Sequence, residues 1–396
     1  MTADLQPRRR IRVGFDARWY NDSGVGAYVS GLLGAMTQMQ DQVELVLYED
    51  ERNRVPLQSG RTLRRVPINA KKYSAAEQLE LARHCRADAL DLFHSPFYVV
   101  PIFAPCPVVV TFHDLIPFLF PIYSWPKQAL VRSGYRVAAR KAAHIIADSE
   151  NTANDIDRLL GVKRKRVSVV HLAPNECYDA RIADGEISLL AAKFGIHGPY
   201  VLVASARNWR TKNLETALRV IECLRGKSEL RFEAVVYGSP EGIRAAAAGE
   251  RVTSLNLNCT GYVSSDGLAV LYRHASAFLL PSLYEGFGLP LVEAMACGCP
   301  VVTTTGGALP EVAGKGAQVF DPVDVRGMAD AVCGLLANQE HRSFWTKAAL
   351  ARAQEFSWAK AARETVSVYH QSAKIMRPSE LRSTANDSNE TQRAAG

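Results

Sequence analysis

Glu285 and Glu293 flank a glycine turn in the stretch Pro281-Ser-Leu-Tyr-Glu-Gly-Phe-Gly-Leu-Pro-Leu-Val-Glu-Ala-Met-Ala-Cys-Gly-Cys-Pro300. Gly286, Gly288 and Pro290 bar a continuous helix through Glu285. Glu285 is therefore expected in a loop, and Glu293 about one turn into a helix running from about Leu289 to Cys297, with Gly298 as its stop. The amides near Gly288 and Leu289 then form a helix N-terminus, whose free donors and positive dipole end suit an anion, most naturally phosphate. Two carboxylates beside a phosphate cradle fit a ligand that carries both phosphate and many hydroxyls, as a nucleotide sugar does. The spacing alone is equally met by one glutamate capping the helix and the other lying on a solvated face.

Other residues could join this chemistry. Arg207, Arg210 and Lys212 follow the buried run Tyr200–Ala204 at what reads as a strand's carboxyl end, ahead of a helix from Leu214. Arginine grips two oxygens and lysine supplies a point charge, so the three are placed to neutralise a diphosphate, the alternative being a solvated loop. His113 stands where the apolar run from Pro107 to Phe112 stops. In an open parallel sheet that is the carboxyl edge facing the cleft, although a lone histidine is often structural. Asp114 either orients that ring or caps the next turn, and His94 is read as lining an acceptor pocket. Gly24-Val25-Gly26 follows the first strand, where ligands of doubly wound sheets bind. It lacks the third glycine of the dinucleotide fingerprint, and a mere tight turn is the competing reading.

The elements that must position these residues alternate between strand and helix. Residues 1–10 read as a polar, disordered arm, and Ile11–Asp16 as the first strand, followed by a glycine loop and a helix closing over Ser30–Met36. Strands at Val43–Tyr48, His144–Asp148 and Val167–Leu172, with helices over Tyr73–Ala87, about Lys127–Ala143 and from a cap at Ser149, complete a first domain over 11–180. A polar connection, Pro174–Gly185, leads to a second domain over 186–356 with strands at Phe232–Gly238 and Leu255–Gly261. Arg352–Ala373 has a helical pattern, and residues 377–396 read as a disordered tail. The fold class is α/β.

Composition narrows the classes further. With 396 residues, 47% hydrophobic and 22% charged, the chain holds two ordinary soluble domains. The net charge of +7 is spread over both halves, so no basic face for nucleic acid is expected. Small basic clusters at Arg8–Arg12 and Lys163–Arg166 read as solvated charge, with attraction to an anionic membrane surface as the alternative. No apolar run approaches a membrane span and no signal peptide is recognised. Eight scattered cysteines without metal-ligand spacing suggest a cytoplasmic chain with reduced thiols and no structural metal.

The run from Pro281 to Pro300 resembles the signature of retaining glycosyltransferases of family 4, enzymes of the GT-B architecture. The resemblance spans about residues 11–372, with the Gly24–Gly26, His113 and Lys212 elements in the proper order. It implies two Rossmann-like doubly wound domains facing across a cleft. The first takes the acceptor, the second the donor, and a final helix over 357–375 crosses back from Phe356-Ser-Trp358 to the first domain.

The roles it implies are these. His113 lies near the donor sugar's hydroxymethyl group, and the Gly24–Gly26 loop approaches the donor diphosphate. Lys212 and an arginine, Arg207 in preference to Arg210, stabilise the leaving diphosphate. Glu293 holds the ribose hydroxyls, and Glu285 binds the donor sugar and offers negative charge to the reacting face. The backbone near Gly261-Tyr-Val263 holds the nucleobase, Gly286, Phe287, Gly288 and Leu289 border the phosphates, and Gly306–Glu311 forms a second wall. Catalysis is then placement and electrostatics, with no cofactor and no metal. The expected function is a hexosyltransferase moving a sugar, first mannose from GDP-mannose, to a saccharide or lipid-linked saccharide acceptor in surface polysaccharide synthesis. A nucleotide-sugar epimerase or hydrolase of the same architecture is one alternative, and a silent saccharide-binding partner is another.

Overall fold

The computed structural model describes residues 10–57, 63–205, 210–227, 229–248 and 256–374, so Arg207 lies outside the described residues. Two parallel sheets organise the chain. The first contains β1 (Ile11–Asp16), β2 (Val43–Glu49), β3 (Leu63–Pro67), β4 (Leu92–Ser95), β5 (Val108–Phe112), β6 (His144–Ala147) and β7 (Val167–Val169), in the order β3-β2-β1-β4-β5-β6-β7. The second contains β8 (Tyr200–Ser205), β9 (Glu233–Gly238), β10 (Leu257–Gly261), β11 (Ala277–Leu280), β12 (Val301–Thr304) and β13 (Gln318–Phe320), in the order β10-β9-β8-β11-β12-β13. Strands such as β5, β6, β8 and β11 are buried along their whole length, as sheets covered on both faces require.

The covering helices of the first half are α1 (Ser23–Met36), α2 (Ala75–Ala87), α3 (Ile116–Leu119), α4 (Trp125–Lys141) and α5 (Glu150–Leu160). Those of the second half are α6 (Glu186–Phe194), α7 (Leu214–Arg225), α8 (Pro240–Ala248), α9 (Ser265–His274), α10 (Leu289–Ala296), α11 (Leu309–Ala313), α12 (Val325–Ala337), α13 (Gln339–Ala353) and α14 (Trp358–Lys374). In each sheet the strand order reverses beside the first strand, between β1 and β4 and between β8 and β11. The crevice beyond the carboxyl ends of those strands is where such sheets take ligands.

Two expectations need correction. Gly24, Val25 and Gly26 are not a loop but the first turn of α1. Tyr28, Val29, Leu32, Leu33 and Met36 recur at helical spacing and are all buried, and this apolar stripe extends the helix back over the glycines. Gly26 is required there because a Cβ would run into the carbonyl of Tyr20. The pattern over Arg352–Ala373 is also not one helix. It breaks at 354–357 between α13 and α14, with Phe356 buried in the break.

The crossing of the last helix has a visible cause. Gly31 of α1 leaves the space that the indole of Trp358 occupies, so α14 lies against α1. Farther along, Tyr369 reaches the floor of the first sheet and bonds His94 at 2.5 Å.

Candidate active site

Lys212 and Glu285 come from the loops that follow β8 and β11, the neighbouring strands at the reversal of the second sheet. Lys212 Nζ donates to Glu285 Oε1 at 2.6 Å, and Ser282 Oγ donates to the same oxygen at 2.6 Å. The two loops are tied by the Leu283 amide, which donates to the carbonyl of Thr211 at 2.8 Å. A further tether joins Glu285 to the loop after β12, where the Ala308 amide donates to the Glu285 carbonyl at 2.9 Å. Glu285 is thus fixed at main chain and side chain alike. Arg210 is exposed on the Lys212 loop.

Behind Glu285 the chain turns into α10 through Gly288, whose φ of 95° is open to glycine. No side chain caps this helix, and among the described residues the amides of Gly288 and Leu289 have no acceptor. Glu293 sits one turn in, 9% exposed, and among the described residues no hydrogen bond reaches its carboxylate. Burial pushes that carboxyl up to about 7, with Lys212 pulling the other way. A buried acid without a partner is costly, so its unmet hydrogen-bonding capacity marks a place for hydroxyl donors from outside the chain. The ring of Phe287 is buried against His171 and Phe356. Val263 precedes the Ser264 cap of α9 and is half-buried against Gly267.

His113 projects from the end of β5, and its ring lies 5.0 Å from that of Tyr28, one turn beyond Gly24–Gly26. Its Nδ1 is 2.6 Å from Asp148 Oδ2 and its Nε2 is 2.9 Å from the Pro96 carbonyl. A carbonyl only accepts, and so does an ionised carboxylate, so both nitrogens donate and the ring is held as an imidazolium. Burial lowers the imidazole pKa, but the Asp148 charge and hydrogen bond outweigh it and leave the value above the ordinary range.

Asp114 is the cap and not the orienting group, because its Oδ1 accepts from the Ile116 amide at 2.9 Å. Asp148 orients the ring, a role the sequence reading missed. The available signal was the placement of Asp148 after β6, which pairs with β5 in register and ends at the same edge. His94 lines no acceptor pocket. It is fully buried between Tyr369 and Thr111, 2.9 Å from the latter, and burial lowers its pKa to about 3.

The two halves meet at this site. Gly286 lies so close to the strand end of His113 that a Cβ would overlap the His113 carbonyl. Ser149, the cap of α5, accepts from Thr152 N and donates to the Gly286 carbonyl at 2.6 Å. Glu311 of α11 reaches across to the N-terminus of α5, accepting from the amides of Glu150 at 2.9 Å and Asn151 at 3.2 Å, and pairs with His171 at 2.7 Å. Burial raises the Glu311 carboxyl, but these donors and His171 outweigh it and leave it below the usual range. Tyr284 donates to Asp155 at 2.6 Å beside them. Instead of merely walling a donor site, the Gly306–Glu311 segment joins the two halves.

Residues 23–173 match the family described as "Glycosyltransferase Family 4", and residues 198–338 match "Glycosyl transferases group 1". The chain is 28% identical over 371 residues to O-antigen chain mannosyltransferase B of Escherichia coli, a match covering 88% of this chain and 96% of that one. It is 30% identical over 257 residues to MMP alpha-(1->4)-mannosyltransferase of Mycolicibacterium hassiacum, covering 62% of this chain and 59% of the relative. Its fold matches sucrose-phosphate synthase from Thermosynechococcus elongatus with a TM-score of 0.73 at 17% identity, over 93% of this chain and all of the other. With two doubly wound parallel sheets meeting at Glu285, Gly286 and His113, the chain belongs to the family 4, group 1 glycosyltransferases of the GT-B fold.

Proposed function

We propose that the enzyme transfers mannose from GDP-mannose, with retention of anomeric configuration, to a hydroxyl of a saccharide or lipid-linked saccharide in surface polysaccharide synthesis. The observation that carries this reading is the pairing of Lys212 with Glu285 beside the uncapped N-terminus of α10 and the unpartnered Glu293. The mannosyl donor is supported by the E. coli relative, whose name assigns it O-antigen chain mannosyl transfer and whose length is almost wholly covered.

In this reading the Lys212 ammonium and the amides of Gly288 and Leu289 receive the charge that develops on the departing diphosphate. Arg210 or Arg207 supplies the second cation. Glu293 accepts from the ribose hydroxyls, which satisfies its buried carboxylate. Glu285, held by Ser282 and Lys212, faces the sugar, and the His113 imidazolium sits at the opposite wall. The main chain near Val263 borders the nucleobase. These groups do the electrostatic work without a resident metal.

The eight free cysteines support work in the cytoplasm. Among the described residues no helix is long and apolar enough to cross a membrane.

The test is transfer from GDP-mannose, UDP-glucose and dTDP-linked sugars to a mannose-containing acceptor in the presence of EDTA, with the anomer of the product read by NMR. GDP-mannose alone should serve, with its configuration retained. Product from a uridine donor only, or an inverted linkage, would refute the donor or the stereochemistry. Donor consumption without any acceptor would favour the hydrolase or epimerase reading.

A further inference from the structure

From Leu115 to Ala147 the chain carries five cations, Lys127, Arg132, Arg136, Arg140 and Lys141, and no Asp or Glu. Most of this stretch is α4, which buries Gln128, Val131, Tyr135, Ala138 and Ala139 against the sheet. Its other face is unusual for a soluble domain. Trp125 is 83% exposed and Leu130 73%, and Val137, Arg136 and Arg140 are exposed on the same side. A segment packed alongside adds to it: Tyr98 stacks on Tyr135 with ring centroids 4.4 Å apart, and Lys141 Nζ donates to the Ala104 carbonyl at 3.1 Å. That segment exposes Ile102 and Phe103.

At the far end of α4 lies a cavity of about 420 Å³, framed by Arg136 and Arg140 and by Lys163 and Lys165 of the turn after α5. Leu159 and Leu160 supply its apolar lining. Among the described residues none of these four cations has a carboxylate partner, whereas Arg164 of the same turn pairs with Glu150 at 2.7 Å. The other basic cluster offers less, since Arg10 and Arg12 pair with Glu44.

Singly exposed apolar side chains are ordinary. Here they share one face with unpaired cations and no acid, which is the composition of a surface that lies in the headgroup layer of an anionic bilayer. Trp125 and Phe103 are rings on which bases could stack, but aliphatic Leu130, Val137 and Ile102 lie exposed among them and suit an apolar phase and not a base. We propose that the outward face of α4, together with the Arg136–Arg140–Lys163–Lys165 cavity, docks the enzyme on an anionic phospholipid bilayer. Trp125 and Leu130 enter the interface, and the cavity takes a lipid phosphate. The Trp125 end lies toward the cleft, where the ring of Phe120 is 6.1 Å from that of Tyr284, so docking holds the cleft mouth near the headgroups.

The surface is independent of the donor reading, and its test reads binding and not transfer. The full chain is sedimented with vesicles of phosphatidylcholine alone or mixed with phosphatidylglycerol, at low and high salt. The protein should bind only the phosphatidylglycerol vesicles, and less at high salt. The double variant Arg136→Ala with Arg140→Ala, and separately Trp125→Ser with Leu130→Ser, should each bind roughly tenfold or more weakly. All these side chains are exposed, Arg136 also lying over the ring of Phe118, so the fold by circular dichroism and transfer to a soluble acceptor should not change. Failure of the unaltered protein to bind, equal binding to both vesicles, or variants that bind as well as the original would overturn the proposal. Retention on a soluble polyanion without vesicle binding would overturn it in favour of a different partner.

Discussion

Replacing Glu293 by Gln should make the ligand-free enzyme more stable, and only at neutral to alkaline pH. Burial holds the Glu293 carboxyl near 7 instead of its ordinary 4.5. Between those values the folded chain keeps a proton that the unfolded chain has released, so stability declines as pH rises through the window and levels off above it. The cost above pH 7 is about 3 kcal/mol. Glutamine has the same shape and no charge, so Glu293→Gln should match the parent below about pH 4.5 and exceed it above pH 7. For a domain of this size that difference corresponds to roughly 6–12 °C in Tm at pH 8. The assay is thermal unfolding of both proteins from pH 4.5 to 9 without nucleotide. A second arm titrates GDP: its affinity for the parent should rise as pH passes 7, because ribose hydroxyls need the ionised carboxylate, and the variant should bind weakly at every pH. A stability difference that does not change with pH, or a parent that is the more stable at pH 8, would refute the reasoning.

Lys212→Ala removes the cation facing the leaving diphosphate and should lower kcat by roughly 100- to 1000-fold while the fold is retained by circular dichroism; full activity would sink the site assignment. Asp148→Asn leaves His113 without the charge that holds its proton against burial, so the alkaline limb of the kcat/KM profile should move to lower pH, and an unmoved limb would show that the imidazolium is not needed. Glu311→Ala strips the acceptor from two α5 amides and from His171, which should cost about 1–3 kcal/mol and enlarge the radius of gyration in solution scattering. Because the Glu311 carboxyl is held below its ordinary range, its contribution is present above the ordinary carboxylate pKa and lost as pH falls through the lowered value. Scattering and stability that match the parent would dismiss Glu311 as a tie between the halves.

Much of the fold was legible locally. Gly288, Pro290 and Gly298 punctuate α10 because backbone angles and a missing N–H act within a few residues, and the predicted helix departs from the observed one by a single residue at its end. Apolar runs announced β5 and β8, since a strand covered on both faces has no polar side to show. Local signals failed where a choice depended on packing. The glycines before α1 read as a loop, yet a buried stripe further along the helix drew them into it. His94 lies within β4 and His113 just past the end of β5, and nothing local in the sequence separates their fates. One is enclosed by Tyr369 of the last helix and neutral, the other is charged by Asp148.

What the sequence determined by itself is therefore the chemistry available: two glutamates around a glycine turn, a lysine after a strand and a histidine at a sheet edge, all set by residue type and short spacing. Only the tertiary structure decided how they are used. Lys212 meets Glu285 because β8 and β11 became neighbours, Asp148 meets His113 because β5 and β6 did, and Glu311 meets α5 because the two halves close on each other. Such contacts join residues far apart in the chain, and their geometry follows from strand order and helix packing, which no local pattern of side chains encodes.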